Sequence, residues 1–67
     1  MIRITINGEP KTIEAECSVA ELLDELKINS RAIAVEINQE LKPRDRHKET
    51  QVQDGDVLEI VTLVGGG

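Results

Sequence analysis

The chain closes on Gly65-Gly66-Gly67, directly after the apolar run Val57-Leu58-Glu59-Ile60-Val61-Thr62-Leu63-Val64. A chain end is ordinarily a place where disorder is tolerated and composition is free to drift. Glycine costs backbone entropy when it is ordered, so three in succession need a reason. One reason is chemical access: without Cβ atoms, Gly65 and Gly66 can carry the α-carboxylate of Gly67 down a narrow channel in another protein. Any side chain there would clash. The competing reading is a frayed end with no role, and the glycine run favours the first.

The remaining chemically capable side chains are isolated. Cys17 is the only cysteine. It stands just before Ser18, where an apolar residue often packs against the position five later, here Leu22. Free cysteine commonly behaves as a small buried hydrophobe; a helix start could instead lower its pKa and make it reactive. The packing role is the simpler of the two. His47 lies among Arg44, Asp45, Arg46, Lys48 and Glu49. With no second histidine it supports neither a paired zinc site nor a Ser-His relay, and a solvated loop position is expected. Glu21, Asp24 and Glu25 share one predicted helix and are expected to face solvent, without a cleft to make them an acid pair.

These residues need a scaffold. Ile2, Ile4 and Ile6 alternate with Arg3, Thr5 and Asn7, the period of a strand with one buried face. Asn7-Gly8 is a hairpin signal because both residues tolerate positive φ. Lys11–Ala15 supplies the returning strand, and Pro10 restricts it to an edge or to its first residue. Ser18-Val19-Ala20-Glu21 reads as a capping box. Val19, Leu22, Leu23 and Leu26 then fall on one helical stripe, with Asn29 as a plausible stop. Ala32–Ile37 is a third strand, central or nearly so. A turn at Asn38-Gln39-Glu40 leads to a short return at Leu41-Lys42, ended by Pro43. Residues 44–50 form a charged surface segment with at most a turn of helix. Asp54-Gly55-Asp56 turns the chain into a last strand, Val57–Val64.

One amphipathic helix across a mixed sheet gives a two-layer α+β fold. If the last strand pairs with the first, the arrangement is a β-grasp (ubiquitin-like) fold with a mixed sheet of four to five strands and one main helix on one face. Residues 1–64 are then the folded domain and 65–67 a flexible tail. With Leu58, Ile60, Thr62 and Val64 facing the helix, Val61 and Leu63 fall on the opposite sheet face. There they form a possible docking patch beside the tail, or else pack on the outer side of the first strand.

Composition narrows the partners. The chain has 67 residues, enough for one small domain. It has no aromatic residue and a formal charge of -5. Base-stacking platforms and a basic backbone-binding face are both missing, so nucleic acid is not an expected partner. An acidic surface suits a protein partner with a basic docking face. No stretch approaches transmembrane length. The lone thiol and the alternating N-terminal run, unlike a signal peptide, point to the cytoplasm.

At this level of detail the chain resembles the ThiS-type sulfur carrier family of thiamine (thiazole) biosynthesis. The residues that carry the resemblance are Ile6-Asn7-Gly8-Glu9, Ser18-Val19-Ala20-Glu21-Leu22-Leu23 and Ala34-Val35-Glu36-Ile37-Asn38 with Pro43-Arg44. Gln53-Asp54-Gly55-Asp56-Val57-Leu58-Glu59-Ile60-Val61 and the Gly-Gly end complete them. The resemblance implies a carrier, a cosubstrate and not an enzyme, whose Gly67 carboxylate is adenylated by an E1-like adenylyltransferase using ATP. A sulfur donor such as a cysteine desulfurase then converts Gly67 to a thiocarboxylate, and thiazole synthase receives the sulfur. Gly65 and Gly66 would thread the partners' active sites. The free carrier is expected to be a monomer that binds no cofactor or metal of its own. Alternatives are a carrier serving molybdopterin, tRNA thiolation or cysteine synthesis, and a ubiquitin-like modifier conjugated through Gly67.

Overall fold

The computed structural model describes residues 1–28 and 33–62. The elements run β1 (Ile2–Ile6), β2 (Glu9–Ile13), β3 (Cys17–Ser18), α1 (Val19–Glu25), β4 (Ile33–Ile37), β5 (Glu40–Lys42), β6 (Gln51–Val52) and β7 (Val57–Thr62). A 3-10 turn at Arg44–Arg46 lies between β5 and β6.

Five strands form one mixed sheet in the order β2-β1-β7-β4-β5. β1 and β7 are parallel, with Thr5 opposite Val57 and Ile6 opposite Leu58. β4 is antiparallel to β7 and to β5. The last strand therefore sits at the centre beside the first, which is the β-grasp topology expected from the order of elements.

The first hairpin begins earlier than its residue types suggest. Asn7 and Gly8 take φ of 51° and 83°, giving a two-residue turn that sets Glu9 opposite Ile6 and Pro10 opposite Thr5. The second strand is thus Glu9–Ile13 instead of Lys11–Ala15. Pro10 is tolerated within it because β2 is the sheet edge, where a missing N–H breaks no inner ladder. Asn38-Gln39 makes a second such turn, with φ of 53° and 69°, and joins β4 to β5.

α1 starts as its sequence demands. Ser18 Oγ accepts from the Glu21 N–H at 3.1 Å, and Glu21 Oε1 accepts from the Ser18 N–H at 2.9 Å. The next orphan donors are also met: Val19 N–H donates to the Thr50 carbonyl at 2.8 Å and Ala20 N–H to the His47 carbonyl at 3.1 Å. Leu26 caps the end and Lys27 turns left-handed at φ 60°. The helix proper therefore stops at Glu25, and Asn29 lies outside the described residues.

The core is wholly aliphatic. Ile4 and Ile13 from the first hairpin, Val19, Leu22 and Leu23 from α1, Ile33, Val35 and Ile37 from β4, Val52 and Leu58 are all buried. Leu26 and Cys17 pack against this cluster partly buried. Each buried leucine or isoleucine contributes about 1.5–3 kcal/mol of hydrophobic stabilisation.

A two-stranded ribbon was not expected. Cys17 pairs with Val52 and Ser18 with Gln51, tying the start of α1 to the segment before β7.

Candidate tail-delivery site

β7 is the element that would deliver the tail. Its odd-numbered side chains point away from α1. Glu59 and Val61 are exposed on that outer face, as is Val57 at its start. On the inner face Leu58 is fully buried and Ile60 is half-buried. Thr62, expected to face the helix, is exposed at the end of the strand. Leu63, Val64, Gly65, Gly66 and Gly67 lie outside the described residues. Of the candidate docking residues, Val61 is described, and half its surface is open to solvent at 52%.

The strand register shows what surrounds Val61. Ala34 lies opposite it on β4. One row along, Glu36 faces Glu59 on one side and Leu41 on the other. The row after that brings Val57 beside Thr5, which in turn opposes Pro10. Val57, Val61 and Leu41 are exposed aliphatics, interleaved with a directly opposed pair of carboxylates. Like charges facing each other across strands are destabilising. Val57 could have been found from the alternation of β7 itself. Leu41 could not, because its face depends on a register that the sequence does not specify.

Cys17 is half-buried beside the core, in keeping with a packing role. Burial pushes its thiol pKa up, and the nearby Glu21 and Glu25 carboxylates add to the shift. The helix start does not activate it. Glu21 is spent in the capping box, while Asp24 and Glu25 are exposed.

His47 overturns its expected place in solvent. Only 3% of its surface is exposed. The 3-10 turn at Arg44–Arg46 rolls it inward, and its Nε2 lies 3.0 Å from the Lys42 carbonyl oxygen. A carbonyl only accepts, so Nε2 carries the proton and donates. Nδ1 has no partner. In the run Arg44-Asp45-Arg46-His47-Lys48-Glu49, histidine is the one residue with a ring to pack inward. That was the available signal, given a turn that must cover the core.

Among the described residues, no group of three or more His, Cys, Asp or Glu could hold a metal ion. No described helix is long and apolar enough to cross a membrane.

Comparisons with known proteins meet this geometry. Residues 4–67 match the model of the ThiS family. A thiazole synthase of Paramagnetospirillum magneticum is 44% identical over 66 residues, a match that takes in 98% of this chain but 20% of that protein. The sulfur carrier protein ThiS of Thermus thermophilus is 33% identical over 64 residues, spanning 96% of this chain and 98% of the relative. The crystal structure of the thiamine biosynthesis protein (ThiS) from Geobacter metallireducens superposes with a TM-score of 0.88 at 36% identity. It covers 98% of this chain and 100% of that one.

Proposed function

The chain belongs to the ThiS family, and from that premise we propose that it is a sulfur carrier of thiamine biosynthesis working through the Gly67 carboxylate. The observation that carries this reading is the family match running through residue 67, onto the Gly65-Gly66-Gly67 end. A carboxylate is a poor electrophile, because its charge is delocalised and oxide does not leave. An E1-like adenylyltransferase would attach AMP from ATP to the Gly67 carboxylate and release pyrophosphate. Sulfide attack on that acyl-adenylate expels AMP and leaves a thiocarboxylate. With a persulfide from a cysteine desulfurase, the first product is an acyl disulfide. A second thiol cleaves it and is oxidised to a disulfide in the process.

Thiazole synthase is the proposed acceptor. It is supported by relatives named thiazole synthase that hold a segment similar to this chain within a longer polypeptide. The carrier then needs no catalytic residue or cofactor of its own, since ATP belongs to its partner. Tail entry into both partners would use Gly65 and Gly66. The cytoplasm, which supplies ATP and keeps Cys17 reduced, is the compartment that suits this chemistry.

The outer sheet face gives the partners something to grip. Val57, Val61 and Leu41 offer apolar area, and we include Leu63 in the patch by strand alternation. Glu36 and Glu59 call for a cation from the partner between those aliphatics.

The test is accurate-mass analysis of the tryptic peptide Glu49–Gly67 from protein isolated under reducing conditions. Sulfur for oxygen adds about 16 Da, a shift that oxidation of Met1 or Cys17 would mimic in the intact chain but not in this peptide. A shift on Gly67 is expected. An isopeptide-linked peptide would instead indicate a protein modifier. A terminus that stays unmodified with ATP, a sulfur donor and the adenylating enzyme would end the carrier reading.

A further inference from the structure

β1 ends at Ile6, and its ladder meets β7 only at Val57 and Leu58. β7 continues to Thr62. Its odd-numbered residues turn their backbone groups toward the β4 side, as the Asn38 N–H to Val57 carbonyl bond of 2.7 Å shows. The even-numbered residues therefore turn theirs toward the β1 side. Beyond Leu58 no strand among the described residues pairs with them there.

Asn7 fills that gap. Its own N–H donates to the Leu58 carbonyl at 2.9 Å, as the next residue of a parallel strand would. In a continuing strand, the carbonyl of residue 7 would then accept from the Ile60 N–H, and the N–H of residue 9 would donate to the Ile60 carbonyl. The chain instead turns at Asn7, with φ of 51°. The side chain supplies both bonds in their place: Oδ1 accepts from the Ile60 N–H at 2.8 Å, and Nδ2 donates to the Ile60 carbonyl at 3.1 Å. A carboxamide carries the one donor and one acceptor that a peptide unit would offer.

We infer that Asn7 is a positioning residue: its side chain stands in for the missing strand beside Ile60 and fixes the line on which β7 hands the chain on toward Gly67. Turn formation alone does not require this side chain, because glycine or aspartate accepts the same φ. Only asparagine also offers both bonds. The inference rests on the carrier reading for its functional consequence, and on hydrogen bonding alone for its structural one.

Asn7→Gly keeps the turn and removes both bonds; Asn7→Asp keeps the acceptor and loses the donor. Asn38→Gly is the control. It removes a comparable clamp at the other end of β7, where Asn38 Oδ1 accepts from the Val57 N–H at 3.0 Å. Amide hydrogen exchange at Ile60 is expected to speed up more than tenfold in Asn7→Gly, with Leu58 little changed, and by less in Asn7→Asp. With the purified E1-like enzyme and ATP, Asn7→Gly is expected to lower kcat/KM for Gly67 adenylation several-fold, mainly through KM. Asn38→Gly, assayed well below its Tm, should leave that value near wild type. Unchanged exchange at Ile60 in Asn7→Gly would overturn the clamp. Equal losses of kcat/KM in Asn7→Gly and Asn38→Gly would reduce Asn7 to a general structural residue. If wild-type Gly67 is never adenylated, the carrier reading falls, while the exchange measurement still decides whether Asn7 holds β7.

Discussion

His47 is the residue whose surroundings most reward a substitution. Its ring is buried, and its Nε2–H satisfies the Lys42 carbonyl. His47→Ala removes the packing and leaves that carbonyl without its donor, so a loss of about 1–3 kcal/mol in urea unfolding is expected. His47→Phe restores the volume but not the bond, and should recover only part of the loss. Cys17 gives a pH dependence. Its pKa is raised in the fold, so the folded state prefers the neutral thiol. The associated stability is fully present below the ordinary thiol pKa and is lost as pH rises through the raised one. Wild type should therefore lose more Tm than Cys17→Ala above about pH 9. At neutral pH iodoacetamide should alkylate Cys17 more slowly in the folded chain than in urea. The packing role of Cys17 was legible from its place before the cap. The burial of His47 was not, because five charged neighbours masked a position set by the roll of one short turn.

At the start of α1 four successive amides each find a partner. Ser18, Glu21, Thr50 and His47 between them meet the amides of residues 18 to 21. Ser18→Ala is expected to cost about 1 kcal/mol. Combined with Glu21→Ala the cost should be less than additive, since each removes its partner's reason to be ordered. Full additivity in a double-mutant cycle by urea denaturation would show that the two bonds act independently. The capping box and the leucine stripe could be read directly, because both are local patterns within four to seven residues. The β3–β6 ribbon could not: Cys17 and Val52 meet across 35 residues, and two-residue strands leave no periodic trace. The shift of β2 to Glu9–Ile13 has a similar origin. Pro10 argues against a strand until one knows that β2 is the edge.

At the scale of the whole molecule, the β-grasp order followed from the sequence of patterns, but the composition of the outer sheet face needed the register. That register sets Glu36 directly against Glu59 and leaves Val57, Val61 and Leu41 exposed around them. A partner cation seated between the two carboxylates would offset their repulsion on docking. Stability and docking then pull apart under substitution. Glu59→Gln removes the repulsion and should raise stability by about 0.2–1 kcal/mol. The same change should slow engagement with the proposed adenylating enzyme, with kcat/KM falling at low salt and the difference closing as salt screens the charge. Val61→Asp breaks the apolar contact instead, so its loss of kcat/KM should persist at high salt without a matching loss of Tm. Paired measurements of Tm and of adenylation kinetics across ionic strength separate these outcomes. If Glu59→Gln gains stability and keeps wild-type kinetics at low salt, the carboxylate pair has no partner cation. If Val61→Asp also leaves tail activation intact, the partners grip the carrier elsewhere.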